Sequence, residues 1–589
     1  MSKKYLVREV VPKKIEKSLE SFSPFVQSLL YARGIEDEIS AYKFLNPNYD
    51  TDLYDPYLLE DMKKAVKRIL GAISKEEKIV IFSDYDADGI PGAVALHDFF
   101  KKIEFYNFIN YIPLRNEEGF GLNHEAIYNL AGQKVKLIIT IDCGITDVDQ
   151  VETANQHGID VIITDHHTPH KKIPKAFAIV NPKQKTDKYP DKNLCGSGVI
   201  FKVIQAIIIS KGFKEKFSWK EGQEKWLLDM VGLATLSDMV PLLGENRVLS
   251  YYGLKVFQKS PRVGIQKLLA LLKTDQRTIT EDDLAFMVTP RINAASRMGI
   301  PRDAFTLLST TDEAEAGVLA DHLNKKNDER KGVVGSMVKE IKKKLEDSDE
   351  DMKHVLVFGN PEWKPSLLGL VANSFSDEHN RPVFFWGRNS TMAGEEDAEV
   401  RRPNAGSPLI KGSCRAGGET DIVKLMEKVK DIFVDYGGHK GAGGFSILQE
   451  NVHHLEERLN IAYLELVKEH KVILDTLVDK KLSLDDVNWE TWKEVEKFTP
   501  FGFENPKPLF LFENIKISNV KLFGKEQNHL ELKFKNSHGK DVTAIVFFQN
   551  GDKFETEIKE GSVINLVANL EKSVFRNYPE LRLRIIDIY

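Results

Sequence analysis

At 589 residues, with 42% hydrophobic side chains, 29% charged ones and a net charge of −6, the chain is too long for one hydrophobic core and too evenly composed to be fibrous or disordered. No apolar run is long enough to span a bilayer, the start MSKKYLVREV lacks the apolar stretch of a secretion signal, and a cytoplasmic protein without a membrane partner is expected. Only Cys143, Cys195 and Cys414 occur, widely spaced, so neither a disulfide framework nor a zinc site is indicated, and the negative total argues against gripping nucleic acid through bulk charge while leaving room for a local basic groove.

Residues 1–76 read as an N-terminal helical segment, with short helices between 24 and 72 punctuated by turns such as LNPNYDTDLYDP. From 77 to 309 short β-branched runs alternate with helical stretches: KIVIF (78–82), KLIITI (136–141), DVIIT (160–164) and FAIV (177–180). Spacings that fit crossover helices predict an α/β domain with a doubly wound parallel sheet, its strands hydrophobic throughout because both faces are covered. Residues 310–350 predict a connecting helix, with Thr310 and Glu313 as a capping box and Val334, Met337, Val338, Ile341 and Leu345 as its apolar stripe, weakened by Gly332 and Gly335. EDSDED (346–351) reads as a solvated linker. HVLVFG (354–359) and RPVFFWG (381–387) open a second α/β unit over 351–470, which closes near GGFSI (443–447) and a following helix. Over 471–589, IKISNVKLF (515–523), HLELKF (529–534), DVTAIVF (541–547), SVINLVANL (562–570) and LRLRIIDI (581–588) suit a five-stranded OB-type barrel.

The first strand of the parallel sheet ends in SDYDADGIPG, which offers Asp84, Asp86 and Asp88 before a helix expected near Pro91. A calcium loop of the EF-hand kind would need a bidentate Glu at the twelfth position, where Ala95 stands. The second strand ends in IDCGI with Asp142, the third in IITDHHTPH with Asp165, His166 and His167, and the apolar run LATLSDMVPL (233–242) presents Asp238. Any one of these alone reads as a solvated loop acid. Parallel strands, however, deliver their carboxyl ends to one edge of the sheet, where such folds bind ligands. Oxygen ligands mixed with imidazole favour Mn²⁺ or Mg²⁺ over zinc, and several bridging-capable carboxylates suit two ions that clamp a phosphoryl displacement.

The motifs SDYDADG, IPLRNEEGFGLN, IDCGI, TDHHTP, NPKQ and TLSDMVPL, preceded by LLYARGI and AYKFLNP, resemble the DHH phosphoesterase superfamily, and in detail its single-strand-specific exonucleases. TPRINAASRMG (289–299), GSCRA (412–416) and YGGHKGAGG (436–444) are similar to that group's DHH-associated domain and the segment leading to it, and PFGFENPKPLF (500–510) to the entry of its OB domain. The resemblance implies that Asp86, Asp88, Asp142, His166 and Asp238 hold the metals, with Asp84 and His167 beside them as ligands or phosphate contacts. It further implies that Arg115, Arg291, Asn293, Arg297, Ser413, Arg415 and His439 meet the substrate, Asn293 having a structural cap as its other reading. Two positions depart from the pattern: Phe82 stands where many relatives carry a histidine, and Gly443 where the glycine-rich motif has its second alanine.

The implied activity is 5′→3′ hydrolysis of single-stranded DNA in repair and recombination, with a single-strand-binding protein and a helicase as partners. Phe575, Arg576 and Tyr578 are candidates for a stacking surface on the barrel. Competing readings are a DHH nanoRNase or cyclic-dinucleotide phosphodiesterase, a family-two pyrophosphatase, and a non-catalytic replication scaffold. The first three lack the five-strand tail, and the last would have lost its carboxylates.

Overall fold

The structure, a computed structural model, describes residues 5–347, 352–388, 409–418, 420–469, 476–524, 527–549, 551, 554, 556–573 and 579–589. Phe575, Arg576 and Tyr578 lie outside the described residues.

The first domain is built on five parallel strands, β1 (Ile79–Ser83), β2 (Phe108–Tyr111), β3 (Leu137–Ile141), β4 (Asp160–Thr164) and β5 (Ala178–Val180), in the order β2-β1-β3-β4-β5. Every residue of β1 and β3 is buried, as expected where helices cover both faces. Alternation along the strands separates two cores. Ile79, Ile81, Leu137, Ile139 and Ile141 pack with α1 (Gly89–Lys102) and α4 (Gly196–Ile208), while Val80, Phe82, Ile138 and Val161 pack with α2 (His124–Gly132) and α3 (Val148–Gln156). The edge strand β2 was not expected; its FINY is only partly buried and too short to show a pattern. The chain passes from β1 to β2 on one side and returns to β3 on the other, so the crevice between the carboxyl ends of β1 and β3 is a topological switch point.

Two further helices frame that edge, α5 (Leu228–Ser237) and α6 (Thr289–Met298). The connecting helix α7 (Glu313–Glu346) begins three residues later than predicted. Thr310 is occupied as the C-cap of the helix Pro301–Ser309, and Asp312 caps α7 instead, accepting Glu315 N at 2.8 Å. Ala316, Ala320 and Leu323 of α7 enter the first domain's core, and Met337 and Ile341 enter the second's. One helix is thus shared by two cores.

The second domain carries β6 (Leu356–Gly359), α8 (Pro365–His379), β7 (Val383–Gly387), β8 (Leu409–Arg415), β9 (Phe433–His439) and β10 (Ala442–Leu448), in the strand order β9-β10-β8-β7-β6. Among the described residues of this sheet, only β6 and β7 pair in parallel. The C-terminal strands β11 (Phe510–Phe523), β12 (His529–Lys535), β13 (Asp541–Val546), β14 (Val563–Ser573) and β15 (Glu580–Ile588) run in the order β11-β12-β13-β15-β14 and close through β14–β11, the five-stranded barrel expected.

Among the described residues, the segment 5–76 has no core of its own. Leu29, Leu30, Phe44 and Leu45 share the barrel's core with Phe498, Phe510 and Phe512, while Met62, Ala65, Ile69 and Ile73 pack under the parallel sheet. Arg247 of the first domain ties the two together. It is buried, donates to the carbonyls of Phe44 at 2.5 Å and Phe498 at 3.1 Å, and stacks 3.7 Å over the Phe44 ring.

Candidate metal centre

Four turns converge at the switch point. After β1 the chain makes a tight turn in which Asp86 Oδ1 accepts the amides of Asp88 at 2.8 Å and Gly89 at 3.2 Å. Helix α1 therefore starts at Gly89 rather than Pro91, and a Cβ on Gly89 would lie 2.5 Å from the Asp84 carbonyl oxygen. After β3, Asp142 adopts a left-handed backbone with φ 62, an uncommon conformation for a residue with a side chain and one that turns its carboxylate into the crevice. After β4, Asp165 serves as the frame of the turn. Its Oδ1 accepts His166 N at 2.7 Å and His167 Nδ1 at 2.8 Å, and its Oδ2 accepts Ile145 N at 3.0 Å. The fourth acid comes from a helix and not a strand: LATLS forms the end of α5, and Asp238 is its C-cap.

His166 is the hub. Its Nε2 lies 3.1 Å from Asp142 Oδ1, 3.6 Å from Asp238 Oδ2 and 3.7 Å from Asp88 Oδ2. Donor atoms within 4.8 Å of one another form the groups Asp84–Asp86–Asp142, Asp88–His166–Asp238 and Asp142–His166–His167. The first two share no residue, and the third joins them.

Burial and mutual repulsion act against ionisation of these acids. Burial, with the neighbouring charge of Asp86, raises the pKa of Asp84 well above the usual carboxylate range and that of Asp88 to about 6. Burial and the charge of Asp88 do the same to Asp142 and Asp238. Burial and the nearby His167 lower His166 to about 3, which keeps its imidazole neutral. For His167, burial opposes protonation but the hydrogen bond to Asp165 prevails and raises its pKa. Asp84 Oδ1 and Asp142 Oδ1 are buried without hydrogen-bond partners. Carboxylates of one sign, unpartnered oxygens and a neutral imidazole fit a divalent cation, which would reverse each of those carboxylate shifts.

Helix α4 braces this arrangement. Gly196 N and Ser197 N donate to Asp88 Oδ2 and Oδ1 at 2.6 and 2.7 Å, placing the positive end of the helix dipole on that carboxylate. A Cβ on Gly196 would lie 2.5 Å from that of Asp142. Only glycine permits so close an approach.

The other candidates divide. Arg115 stacks 4.9 Å over the Tyr85 ring, and its charge acts on Asp84. Arg297 is half-buried beside Arg115 and Asp86 and donates to the carbonyl of Ser366 in the second domain. On β8, Arg415 Nη1 is 3.1 Å from Ser413 Oγ, and its Nε donates to Asn373 Oδ1 at 2.5 Å. His439 stands exposed at the β9–β10 turn, near enough to act electrostatically on His166. Arg291 faces away, donating to Asn324 Oδ1 of α7 at 3.1 Å and to the Met287 carbonyl at 2.6 Å. Asn293 Oδ1 accepts the Ala87 amide at 2.9 Å.

Residues 78–235 match the model of the DHH family, N-terminal domain, and residues 478–587 that of the RecJ OB domain. The single-stranded-DNA-specific exonuclease RecJ of Bacillus subtilis is 33% identical over 566 residues, covering 96% of this chain and 68% of that protein. The chain belongs to the RecJ family. A crystal structure of Thermus thermophilus RecJ in complex with Mn²⁺ shares the fold, with a TM-score of 0.78 at 23% identity over 100% of this chain and 79% of that one. A second crystal structure, of exonuclease RecJ bound to manganese, matches at 28% identity with a TM-score of 0.56, over 69% of this chain and 95% of that one.

Within this RecJ-family centre, Lys183 escaped the sequence reading as a separate candidate. Its charge acts on Asp238 and Asp165, and burial lowers its pKa against their pull. It follows the end of β5, so the strand-end rule that picked out Asp142 applies to it once cations are counted with the acids. Ser197 was missed for a different reason: CGSG carries no charge, and only the fold reveals that its amides meet Asp88.

Proposed function

We propose that this protein is a metal-dependent 5′→3′ exonuclease that hydrolyses phosphodiester bonds of single-stranded DNA. The convergence of Asp84, Asp86, Asp88, Asp142, His166 and Asp238 into two ligand groups around one imidazole carries the reading. Asp84, Asp86 and Asp142 would hold one ion and Asp88, His166 and Asp238 the other, with His167 beside both groups. Two Mn²⁺ or Mg²⁺ ions, when bound, supply an acidified water and neutralise charge on the scissile phosphate. The chain's own part is to gather the carboxylates within reach of one another, to keep His166 neutral, and to bring cations to the substrate's phosphates. Arg115, Arg297 and Lys183 come from the first domain and Ser413, Arg415 and His439 from the second, so a strand between the domains meets donors on both sides.

The metal ligands do not distinguish one chain end from the other. Direction would follow from capture of a terminal 5′-phosphate by Arg415 and Ser413, with the next linkage reaching the acids of the first domain. The barrel serves as the track for the strand further along. A nanoRNase or cyclic-dinucleotide phosphodiesterase needs no such barrel, and a scaffold needs no carboxylates. An enzyme confined to single strands works beside a helicase that unwinds duplex and a single-strand-binding protein that coats the product, in the cytoplasm; no helix among the described residues is long and apolar enough to cross a membrane.

The test incubates 5′- and 3′-labelled single strands and duplexes with Mn²⁺, with Mg²⁺ and with chelator. Mononucleotide release from the 5′ end of single strands, abolished by chelator, is expected. Internal cuts, release from the 3′ end or equal attack on blunt duplex would overturn the reading.

A further inference from the structure

One stripe of α6 touches both metal-holding turns and the second domain. Thr289, Asn293 and Arg297 recur every four residues and so share a helix face. Thr289 Oγ1 lies 2.6 Å from Ser237 Oγ, and because the Ser237 hydroxyl already donates to the Leu233 carbonyl at 2.6 Å, Thr289 is the donor. Ser237 immediately precedes Asp238. One turn along, Asn293 Oδ1 accepts the amide of Ala87, the residue between Asp86 and Asp88. Another turn along, Arg297 donates to the Ser366 carbonyl, and Ser366 Oγ returns a bond to the Arg297 carbonyl at 3.3 Å.

The bond to Ala87 carries the most weight. Within the metal-binding turn, the amides of Asp88 and Gly89 are satisfied locally by Asp86 Oδ1, whereas that of Ala87 is satisfied from outside, by Asn293. Ala87 is 2% exposed, so water has poor access to replace Asn293, and a buried amide left alone is costly enough to move the turn. The turn carries two of the acids that the proposed function assigns to the metals.

We infer that α6 is a strut that sets the spacing of the metal acids: Asn293 fixes the Asp86–Asp88 turn, Thr289 fixes the end of α5 before Asp238, and Arg297 links both to the second domain. The inference rests on the proposed metal-dependent function, and it makes Asn293 a positioning residue, not a phosphate contact. A shift of the second domain enters the helix at Ser366 and reaches both groups of acids together.

The experiment titrates Mn²⁺ calorimetrically into the full-length wild type and into Asn293→Ala and Thr289→Val, then measures kcat and KM on a single-stranded oligonucleotide at saturating Mn²⁺. Thr289→Val is nearly isosteric and guards against a folding defect in the first variant. Supporting groups behind metal ligands are worth about 10- to 100-fold, so Asn293→Ala should weaken Mn²⁺ binding by that factor and lower kcat, while KM changes by less than about twofold; Thr289→Val should shift the same quantities less. Wild-type Mn²⁺ affinity in both variants would overturn the strut. A loss confined to KM with metal binding unchanged would overturn it as well, by making Asn293 a DNA contact. Should the wild type bind Mn²⁺ yet cleave no DNA, the functional reading fails, and the calorimetric comparison still decides the strut.

Discussion

Replacing Gly196 by alanine should cost activity far beyond what one methyl group suggests. The new Cβ would lie 2.5 Å from Asp142 Cβ, 2.7 Å from Asp142 Oδ1 and 2.8 Å from Asp142 Cα. Unstrained carbon contacts begin near about 3.5 Å, so α4 and the end of β3 must separate by about 1 Å. Neither side yields easily. Asp142 is held in a left-handed conformation at φ 62, and α4 is anchored through Gly196 N and Ser197 N to Asp88. Relief of the clash therefore displaces Asp142 or Asp88, and each belongs to a different ligand group. A misplacement of about 1 Å at a reacting centre costs on the order of 100-fold, or about 2.7 kcal/mol of barrier. Overpacking should cost a further ~1–3 kcal/mol of stability. The assay is kcat on a labelled single strand at saturating Mn²⁺, with a denaturant melt to show that the domain is folded. A folded Gly196→Ala variant with kcat within about threefold of wild type would refute the argument, since the helix could then retreat without disturbing the acids.

Arg415→Ala should lower kcat/KM on 5′-phosphorylated strands by about 10- to 100-fold and on 5′-hydroxyl strands much less, the size of a lost charge-assisted contact; equal losses on both substrates would remove Arg415 as the end reader. Arg247→Ala leaves the buried carbonyls of Phe44 and Phe498 without their donor and should cost about 3 kcal/mol or more in a urea titration, detaching the N-terminal helices and barrel first; an unchanged midpoint contradicts the clamp. Asp147 accepts Leu122 N at 2.7 Å, and its pKa is raised by burial from 3.8 to about 6. The folded state thus binds a proton that the unfolded state releases between those values, so this group's contribution is fully present below pH 3.8 and lost as pH rises through about 6. Asp147→Asn should match wild type in Tm near the lower value and become progressively more stable up to the upper one; a Tm difference independent of pH would contradict that assignment.

The parallel sheet and its reactive edge could be read from the sequence because both depend on local pattern. Continuous apolar runs such as LIITI mark strands covered on both faces, and chain direction alone sends their carboxyl ends to one side. The barrel was legible for a similar reason, since five runs of period two with short turns have few ways to hide their edges. The roles of individual acids and bases were less accessible. Asp165 and His166 are adjacent in sequence, yet one frames the turn and the other centres the metal ligands, a division set by amides at Ile145, His166 and His167. Asp238 follows an apolar run whose element type the sequence left open, and packing of that run against α1 and α4 makes it a helix end.

What the sequence by itself determined, then, is the set of elements and the chemistry at the sheet edge: hydrophobic period and strand polarity are properties of a few neighbouring residues. Tertiary structure alone decided that the first helices belong to the barrel's core, that Arg291 faces α7, that Asn293 meets Ala87, and that Gly196 allows α4 to touch Asp142. Those contacts join residues from 33 to 206 positions apart where a hydrogen bond records them, and their partners are single backbone or side-chain atoms. Hydrophobicity repeats along the chain and so leaves a pattern, whereas a single directional contact between distant segments leaves none.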